Sequence, residues 1–328
     1  MPFVWKNYMN YKNGISDYLF GEELGSSSFD LTIVHKIHRR FDGRQFACKL
    51  LLKEFFEPEE KKMTEQLQRV NQISHPNIVR IIDILKTKDY IYVVMDLMNG
   101  GPLFDRMVEI GYVSECSVAH IISELLNALV YLYRNFIIHR DLRSENILYK
   151  TTHPTSPIMI SGFDTVTIYD RAEDFRSGKA MLGVPDYCSP EILLRESFDY
   201  AVDIWSVGVI TFLLLSGKHP FYSKDDCDFL KRIIQEPLEF SPSDWSNISL
   251  NAKNFISVLL KKAPSQRPND AAVILQHDWM VKGRCHNLIP IKEILLQYVN
   301  DYNRRKEIYA VNLATLYYSS QAISATSD

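Results

Sequence analysis

The densest run of reactive side chains in this 328-residue chain is HRDLRSEN at 139–146, which packs a histidine, two arginines, an aspartate, a glutamate and an asparagine into eight positions. Carboxylates in such a loop can accept protons, and carboxylate and amide oxygens can hold a hard cation. A second candidate is Lys49, within FACKLL at 46–51. Strand alternation sets Ala47 and Lys49 on one face, an ammonium beside a small apolar surface. A lysine in a strand is by itself usually an exposed charge, so its weight depends on what else the chain carries.

These residues need elements to position them. Residues 17–52 and 78–97 hold short runs of β-branched and aromatic residues, the composition of strands. Between them, Pro58 to Ile73 reads as a helix opened by proline and an acidic first turn, EPEE. From about residue 103 the pattern turns helical. Ile121, Ile122, Leu125, Leu126, Leu129 and Leu132 recur at helical spacing and lead into the HRDLRSEN loop. A strand-rich part first and a larger helical part second, with Asn99-Gly100-Gly101 near the joint, predicts an α+β chain of two lobes.

Composition is ordinary for a globular protein, 46% hydrophobic and 23% charged. A net charge of −3 and a pI of about 6.3 exclude a broad basic surface, and nucleic acid is not an expected partner. Cysteines 48, 116, 188, 227 and 285 show no metal-type spacing and read as reduced thiols of a cytoplasmic protein. The opening MPFVWKNYMN lacks a basic and an apolar region in series, so no signal peptide is expected. The apolar stretch VGVITFLLL at 207–215 is short of the roughly 20 residues that span a bilayer, and reads as a core helix rather than a transmembrane segment. The last residues, SSQAISATSD, read as frayed.

The series of motifs resembles the protein kinases, of the calcium/calmodulin-dependent group and CASK-type relatives. HRDLRSEN matches their catalytic loop H-R-D-L-x-x-x-N. HPNIV at 75–79 and YVVMDLMNGG at 92–101 resemble the segments leading to their interlobe hinge. CSPE at 188–191, DIWSVGV at 203–209 and PSQRP at 264–268 resemble the later landmarks, with GGPLFDR, LLSGKHPFY and QHDWM carrying the group flavour. The resemblance covers about residues 16–280. It implies a bilobal kinase fold, with residues 1–97 as the small lobe and its N-terminal extension, 98–280 as the large lobe and 281–328 as a helical regulatory-like tail. By resemblance Asp141 is the base that takes the substrate hydroxyl proton, Asn146 a metal ligand and Arg143 the stand-in for the usual loop lysine. Gly25, Ala47, Lys49, Met95 as gatekeeper, Asp96 and Met98 would line an ATP site. Glu191 with Arg267, and Asp203 bracing the catalytic loop, would be scaffold.

Several positions depart from that pattern, and they bear on one step. Phosphoryl transfer needs a carboxylate that clamps Mg²⁺ against the phosphates, the Asp of D-F-G. The aligned triplet in IMISGFDTV is Gly162-Phe163-Asp164, so the metal position is glycine. Asp164, two residues on along an extended segment, is the nearest substitute, and Mg²⁺ binding is in doubt. The glycine loop reads Gly25-Ser26-Ser27-Ser28-Phe29-Asp30, keeping one glycine of three and placing an acid at the third position. The helix glutamate expected to pair with Lys49 falls at Gln66, and Glu65 lies about 100° around the helix. Pro102 stands where a ribose-side glutamate is common, and Val184 where a docking-loop threonine is expected. Each such loss of oriented electrostatics costs several kcal/mol. The combination predicts a pseudokinase with negligible or very weak transfer, serving an unknown protein partner. An active Ser/Thr kinase with unusual metal use is the competing expectation, because Lys49, Asp141 and Asn146 are kept.

The tail from Leu288 resembles the autoregulatory and calmodulin-binding segment of the group, on the strength of Tyr302-Asn303-Arg304-Arg305-Lys306. The resemblance implies calmodulin as a partner through residues 288–318. Between 291 and 318 there are four basic and three acidic residues, a thin excess for a calmodulin target. A pair of helices packed permanently on the large lobe is the plainer expectation. Residues 287–314 contain no Ser or Thr, so release by autophosphorylation there is not expected.

Overall fold

The computed structural model describes residues 14–27, 32–56, 60–164, 166–168, 185–223, 225–282 and 288–325. They divide into two compact units, 1–73 with 79–97, and 74–78 with 98–328.

The first unit is built on strands β1 (Tyr18–Ser27), β2 (Thr32–Arg39), β3 (Gln45–Leu52), β4 (Ile81–Lys86) and β5 (Tyr90–Asp96), with a short helix α1 (Lys53–Phe56) and α2 (Glu60–Val70). The antiparallel order is β1-β2-β3-β5-β4. Tyr18, Ile37, Phe46, Cys48 and Val94 form a buried cluster on one face of the sheet. Because side chains alternate, Ala47 and Lys49 of β3 take the opposite face, opposite Met95 and Val93 of β5. The core thus anchors β3 by alternate residues, and on the other face Ala47 is also buried while Lys49 is half-buried. Cys48 belongs to that anchor, and burial pushes its thiol up to about 12, so it is inert at neutral pH. Helix α2 buries Met63, Thr64, Leu67 and Val70 at helical spacing, each apolar side chain worth roughly 1.5–3 kcal/mol.

The second unit runs α3 (Leu103–Ile110), β6 (Tyr112–Val113), α4 (Glu115–Arg134), β7 (Ile137–Ile138), β8 (Ile147–Tyr149), β9 (Ile158–Ile160), β10 (Thr167–Ile168) and α5 (Pro190–Leu193). It continues with α6 (Ala201–Ser216), α7 (Asp226–Gln235), α8 (Pro242–Trp245), α9 (Leu250–Leu259), α10 (Ala271–Ile274), α11 (Asp278–Lys282), β11 (Ile289–Pro290) and α12 (Lys292–Ala325). Helix α6 is buried along its whole length, as expected of 207–215. Helix α4 is capped by Ser114, which exchanges hydrogen bonds with Ser117. By length and composition α4 is the one described helix able to cross a membrane, but its apolar stripe is core, from Val118 through Ile122, Leu125 and Leu129 to Leu132.

Three features differ from the sequence expectation. Residues 75–78 of HPNIV belong to the second unit rather than simply leading into a strand. The Asn77 amide donates to Ile158 O at 2.9 Å, and Asn77 O accepts from Ile160 N at 2.8 Å. The tail is one continuous helix, not a pair, since residues 292–325 contain no Gly or Pro to break it, and it runs to Ala325 where fraying was expected. Gly162-Phe163-Asp164 is a turn, with Gly162 at φ +83°, so Asp164 does not lie on an extended segment.

Candidate active site

The site in the second unit starts from α6. Asp203, fully buried in its first turn, accepts from His139 N at 2.9 Å and from Arg140 N at 2.8 Å. Two backbone donors on one carboxylate hold the loop in a conformation that puts Arg140 at φ +71°, which an unbraced arginine would rarely adopt. Burial pushes the Asp203 carboxyl up, and His139 together with the loop N–H groups partly offsets it. His139 Nε2 donates to Ser161 O at 2.7 Å, and its Nδ1 accepts from Asp141 N at 3.3 Å. Burial depresses the His139 pKa, which favours the neutral ring this pattern requires. The Phe163 ring meets His139 edge-on at 5.1 Å. The loop and the Gly-Phe-Asp turn are therefore tied through one imidazole.

Around Asp141 three of the expected residues converge. Asn146 Nδ2 donates to Asp141 O at 2.8 Å and to Asp141 Oδ2 at 2.7 Å, and Arg143 Nε lies 3.2 Å from the same Oδ2. Arg143 also lies 3.7 Å from Glu145 Oε2. A Cβ built on Gly162 would come within 2.5–2.6 Å of the Asn146 amide. Asn146 thus fills the space beside the position where a metal-binding aspartate is expected. Asp164 is half-buried in the turn beyond, near enough to His139 to favour its charged form.

Those residues lack the carboxylate that would clamp a bound Mg²⁺, because Gly162 has no side chain. A hard cation takes oxygens, ideally six; the Asn146 amide turns both N–H bonds to Asp141, which leaves its Oδ1 as the one ligand atom of that side chain. Flipping the amide would set its oxygen against two acceptors. Among the described residues no three His, Cys, Asp or Glu side chains converge as a cation site.

The remaining expected residues lie elsewhere. Gly25, Ala47, Lys49, Met95 and Asp96 belong to the first unit and Met98 to the second. Ala47 is paired across the sheet with Met95 and Lys49 with Val93. Gly25 pairs with Val34, and a Cβ there would meet nothing within 4 Å. Asp96 N donates to Arg80 O at 3.0 Å, and its carboxylate lies 3.4 Å from Arg80, an exposed pair worth little. Gln66, half-buried, sits on α2 among Met63, Leu67 and Val70, which supports the counted register. Ser28, Phe29, Asp30 and Val184 lie outside the described residues.

The scaffold residues behave as the motifs imply. Arg267 Nη1 and Nη2 bond Glu191 Oε1 and Oε2 at 2.7 and 2.8 Å, fully buried, with Ala201 O, Lys261 O and Lys262 O taking other donors. A bidentate buried pair whose other hydrogens are satisfied is the favourable form of such a contact.

The sequence led us to expect the tail to pack on the large lobe, but not the contacts that dock α12. Leu295, Tyr298, Tyr302 and Arg305 form its buried stripe, and Ile291 is buried just before it. Tyr302 OH donates to Glu145 Oε2 at 2.7 Å and Lys306 Nζ lies 2.5 Å from Glu145 Oε1. Burial opposes ionisation of Glu145, but Arg143, Lys306 and the two hydrogen bonds outweigh it and hold the carboxyl below its ordinary range. Arg305 Nη2 lies 2.5 Å from Asp186 Oδ1, with Tyr298 OH 3.4 Å from the same oxygen. The only signal for this was YNRRK itself, and Asp186 stood unmarked between Pro185 and Tyr187.

A model of the protein kinase domain matches residues 18–280. A probable myosin light chain kinase of Dictyostelium discoideum is 32% identical over 298 residues, covering 90% of this chain and 74% of that one. Calcium/calmodulin-dependent protein kinase type IV of Homo sapiens is 34% identical over 329 residues, covering 100% and 67%. The Rattus norvegicus protein of that name is 34% identical over 318 residues, covering 96% and 65%.

Proposed function

The chain belongs to the protein kinase family, in the group like the calcium/calmodulin-dependent kinases, and from that premise we propose that it is a pseudokinase, an interaction or allosteric module that uses the Ser/Thr-kinase fold to hold a protein partner. The family implies an ATP site in general. The finer reading, negligible Mg²⁺-dependent transfer, is carried by one observation: Gly162 stands at the metal position with the Asn146 amide, hydrogen-bonded to Asp141, filling the space beside it. Without the carboxylate, phosphate charge developing in the transition state loses its main counter-charge. The intact Asp203, Glu191 and Arg267 contacts support a fold kept for binding.

Retention of Lys49 and Asp141 favours one second reading, an active Ser/Thr kinase with unusual metal use. Thermal melting of the whole chain with ATP plus Mg²⁺, Mn²⁺ or EDTA separates the two. The pseudokinase reading expects no Mg²⁺-dependent rise and no peptide phosphorylation. A Mg²⁺-dependent rise, with phosphorylation abolished by Asp141→Asn, would replace it with the enzyme. Calmodulin enters from the relatives' name. Two of the four basic residues of its would-be segment, Arg305 and Lys306, are engaged by Asp186 and Glu145. Calmodulin therefore stands second to an unidentified partner, and micromolar binding of Ca²⁺-calmodulin to the whole chain would reverse that order.

A further inference from the structure

We propose that residues 1–13 bind back over the face of the first unit's sheet that carries Tyr18 and Cys48, closing an aromatic patch there. The inference goes beyond the pseudokinase reading and does not rest on it.

The patch is one continuous surface. Ile33 of β2, Leu50 of β3, Tyr92 of β5 and Leu85 of β4 are successive cross-strand partners, so an apolar row crosses four strands on the side of Cys48 and Val94. Leu50, Leu85 and Tyr92 pack against the buried cluster yet stay half-buried, and Ile33 is 38% exposed. Aromatic rings extend the row. Phe20, 43% exposed, meets Tyr92 at 6.1 Å, and Tyr90, 36% exposed, meets it at the same distance. Apolar side chains grouped in this way on one face mark a surface that another segment covers. Residues 1–13 lie outside the described residues, and their composition and attachment fit the patch. Seven of the thirteen are Met, Phe, Val, Trp or Tyr, two are lysines and none is acidic. The kinase-domain match begins at residue 18, so the segment precedes the domain proper. It enters at the right place: Gly14 leads through the turn Ile15–Asp17 into Tyr18, whose ring belongs to the cluster beneath the patch, two residues before Phe20. That entry is fixed, since Arg40 N donates to Asp17 O at 2.8 Å and Arg40 Nε to Ser16 O at 2.8 Å. The row spans three strand spacings, about 14 Å, whereas a segment of this length reaches about 40 Å when extended. Glu23, registered opposite His35, and Asp89, beside Tyr90, are exposed acids at the rim and complement Lys6 and Lys12.

Trypsin cleavage after Lys6 in the full chain tests this, each rate taken relative to a free peptide 1–13 of the same sequence. When closing outpaces cleavage, the ratio reads the population of the open form. The wild type is expected to be cut about 10-fold more slowly than its peptide. Phe20→Asp with Ile33→Asp, both changes at exposed positions, is expected to remove most of that protection, because an apolar segment does not settle over carboxylates it would bury. Phe3→Ser with Trp5→Ser is expected to do the same, and all four changes together no more than either pair. Should the sheet variant not fold, Phe3→Ser with Trp5→Ser decides alone, since it alters none of the described residues. Protection absent from the wild type, or unchanged in either pair, would overturn the proposal. So would protection that disappears on dilution together with a dimer in sedimentation, which would assign the patch to a second copy. None of these readings involves nucleotide, so the docking stands or fails apart from the pseudokinase reading.

Discussion

Replacing Arg305 by methionine tests whether α12 is an integral part of the second unit. Asp186 is fully buried, and Arg305 is its cationic partner. Tyr298 adds one long hydrogen bond on Oδ1, and among the described residues Oδ2 has no hydrogen-bond partner. Burial already pushes the Asp186 carboxyl up, with Arg305 partly offsetting that. Removing the guanidinium leaves a buried carboxylate to be neutralised or hydrated, a loss of about 3–5 kcal/mol. In a unit of this size that lowers the melting temperature by roughly 5–15 °C. Hydrogen exchange should show where: amides of 295–309 are expected to lose protection in Arg305→Met, because their stripe of Leu295, Tyr298 and Tyr302 depends on the same docking. Two controls follow from the same reasoning. Asp186→Ala combined with Arg305→Met should recover most of the loss, since no buried charge is left and the pair's Oδ2 and Nε atoms were unsatisfied at the start. The single variant should also lose less at low pH, where an unpaired Asp186 is neutralised by a proton. A loss below about 1 kcal/mol with unchanged exchange over 295–309 would refute the docking argument, and α12 would have to be treated as a releasable tail.

Two further outcomes are expected. Asp203→Asn turns one loop N–H toward an amide donor, so it should destabilise by about 1–3 kcal/mol in chemical denaturation and raise exchange at His139 and Arg140, whose positive φ depends on that brace. Stability should fall on acidification below pH 6.5, because burial pushes His219 down to about 3 while the unfolded ring takes a proton near 6.5. The unfolded chain then binds more protons, a slope of about 1.4 kcal/mol per pH unit per such group. His139, also depressed, adds to it, whereas the raised Asp186 and Asp203 oppose it at lower pH. The slope therefore sets in below about pH 6.5, where the unfolded imidazole takes its proton. His219→Gln should flatten the slope, and an unchanged slope would show that His219 is not the group responsible.

Local signals were enough for the architecture and for the landmarks of the site. The alternation in FACKLL placed Ala47 and Lys49 on one face, because side-chain direction on a strand depends only on position parity. The spacing from Ile121 to Leu132 marked the core stripe of α4 for the same kind of reason, a fixed angular step per residue. Asp203, Glu191 and Arg267 were legible from motifs, since a motif is a record of contacts already known to form. Glycine at 162 could likewise be read as a lost carboxylate. What moved into the space could not: the Asn146 amide beside Gly162 and on Asp141 depends on how residues 16 positions apart are folded together. The same holds for the pairing of Arg305 with Asp186, 119 positions away, and of Lys306 with Glu145, 161 away. A charge in a sequence has a sign but no partner. Only the packing of α12 within the second unit decided that one cation of a thin basic cluster would be buried on an internal carboxylate and the next half-buried on another, instead of both facing water, where they would remain available to another protein.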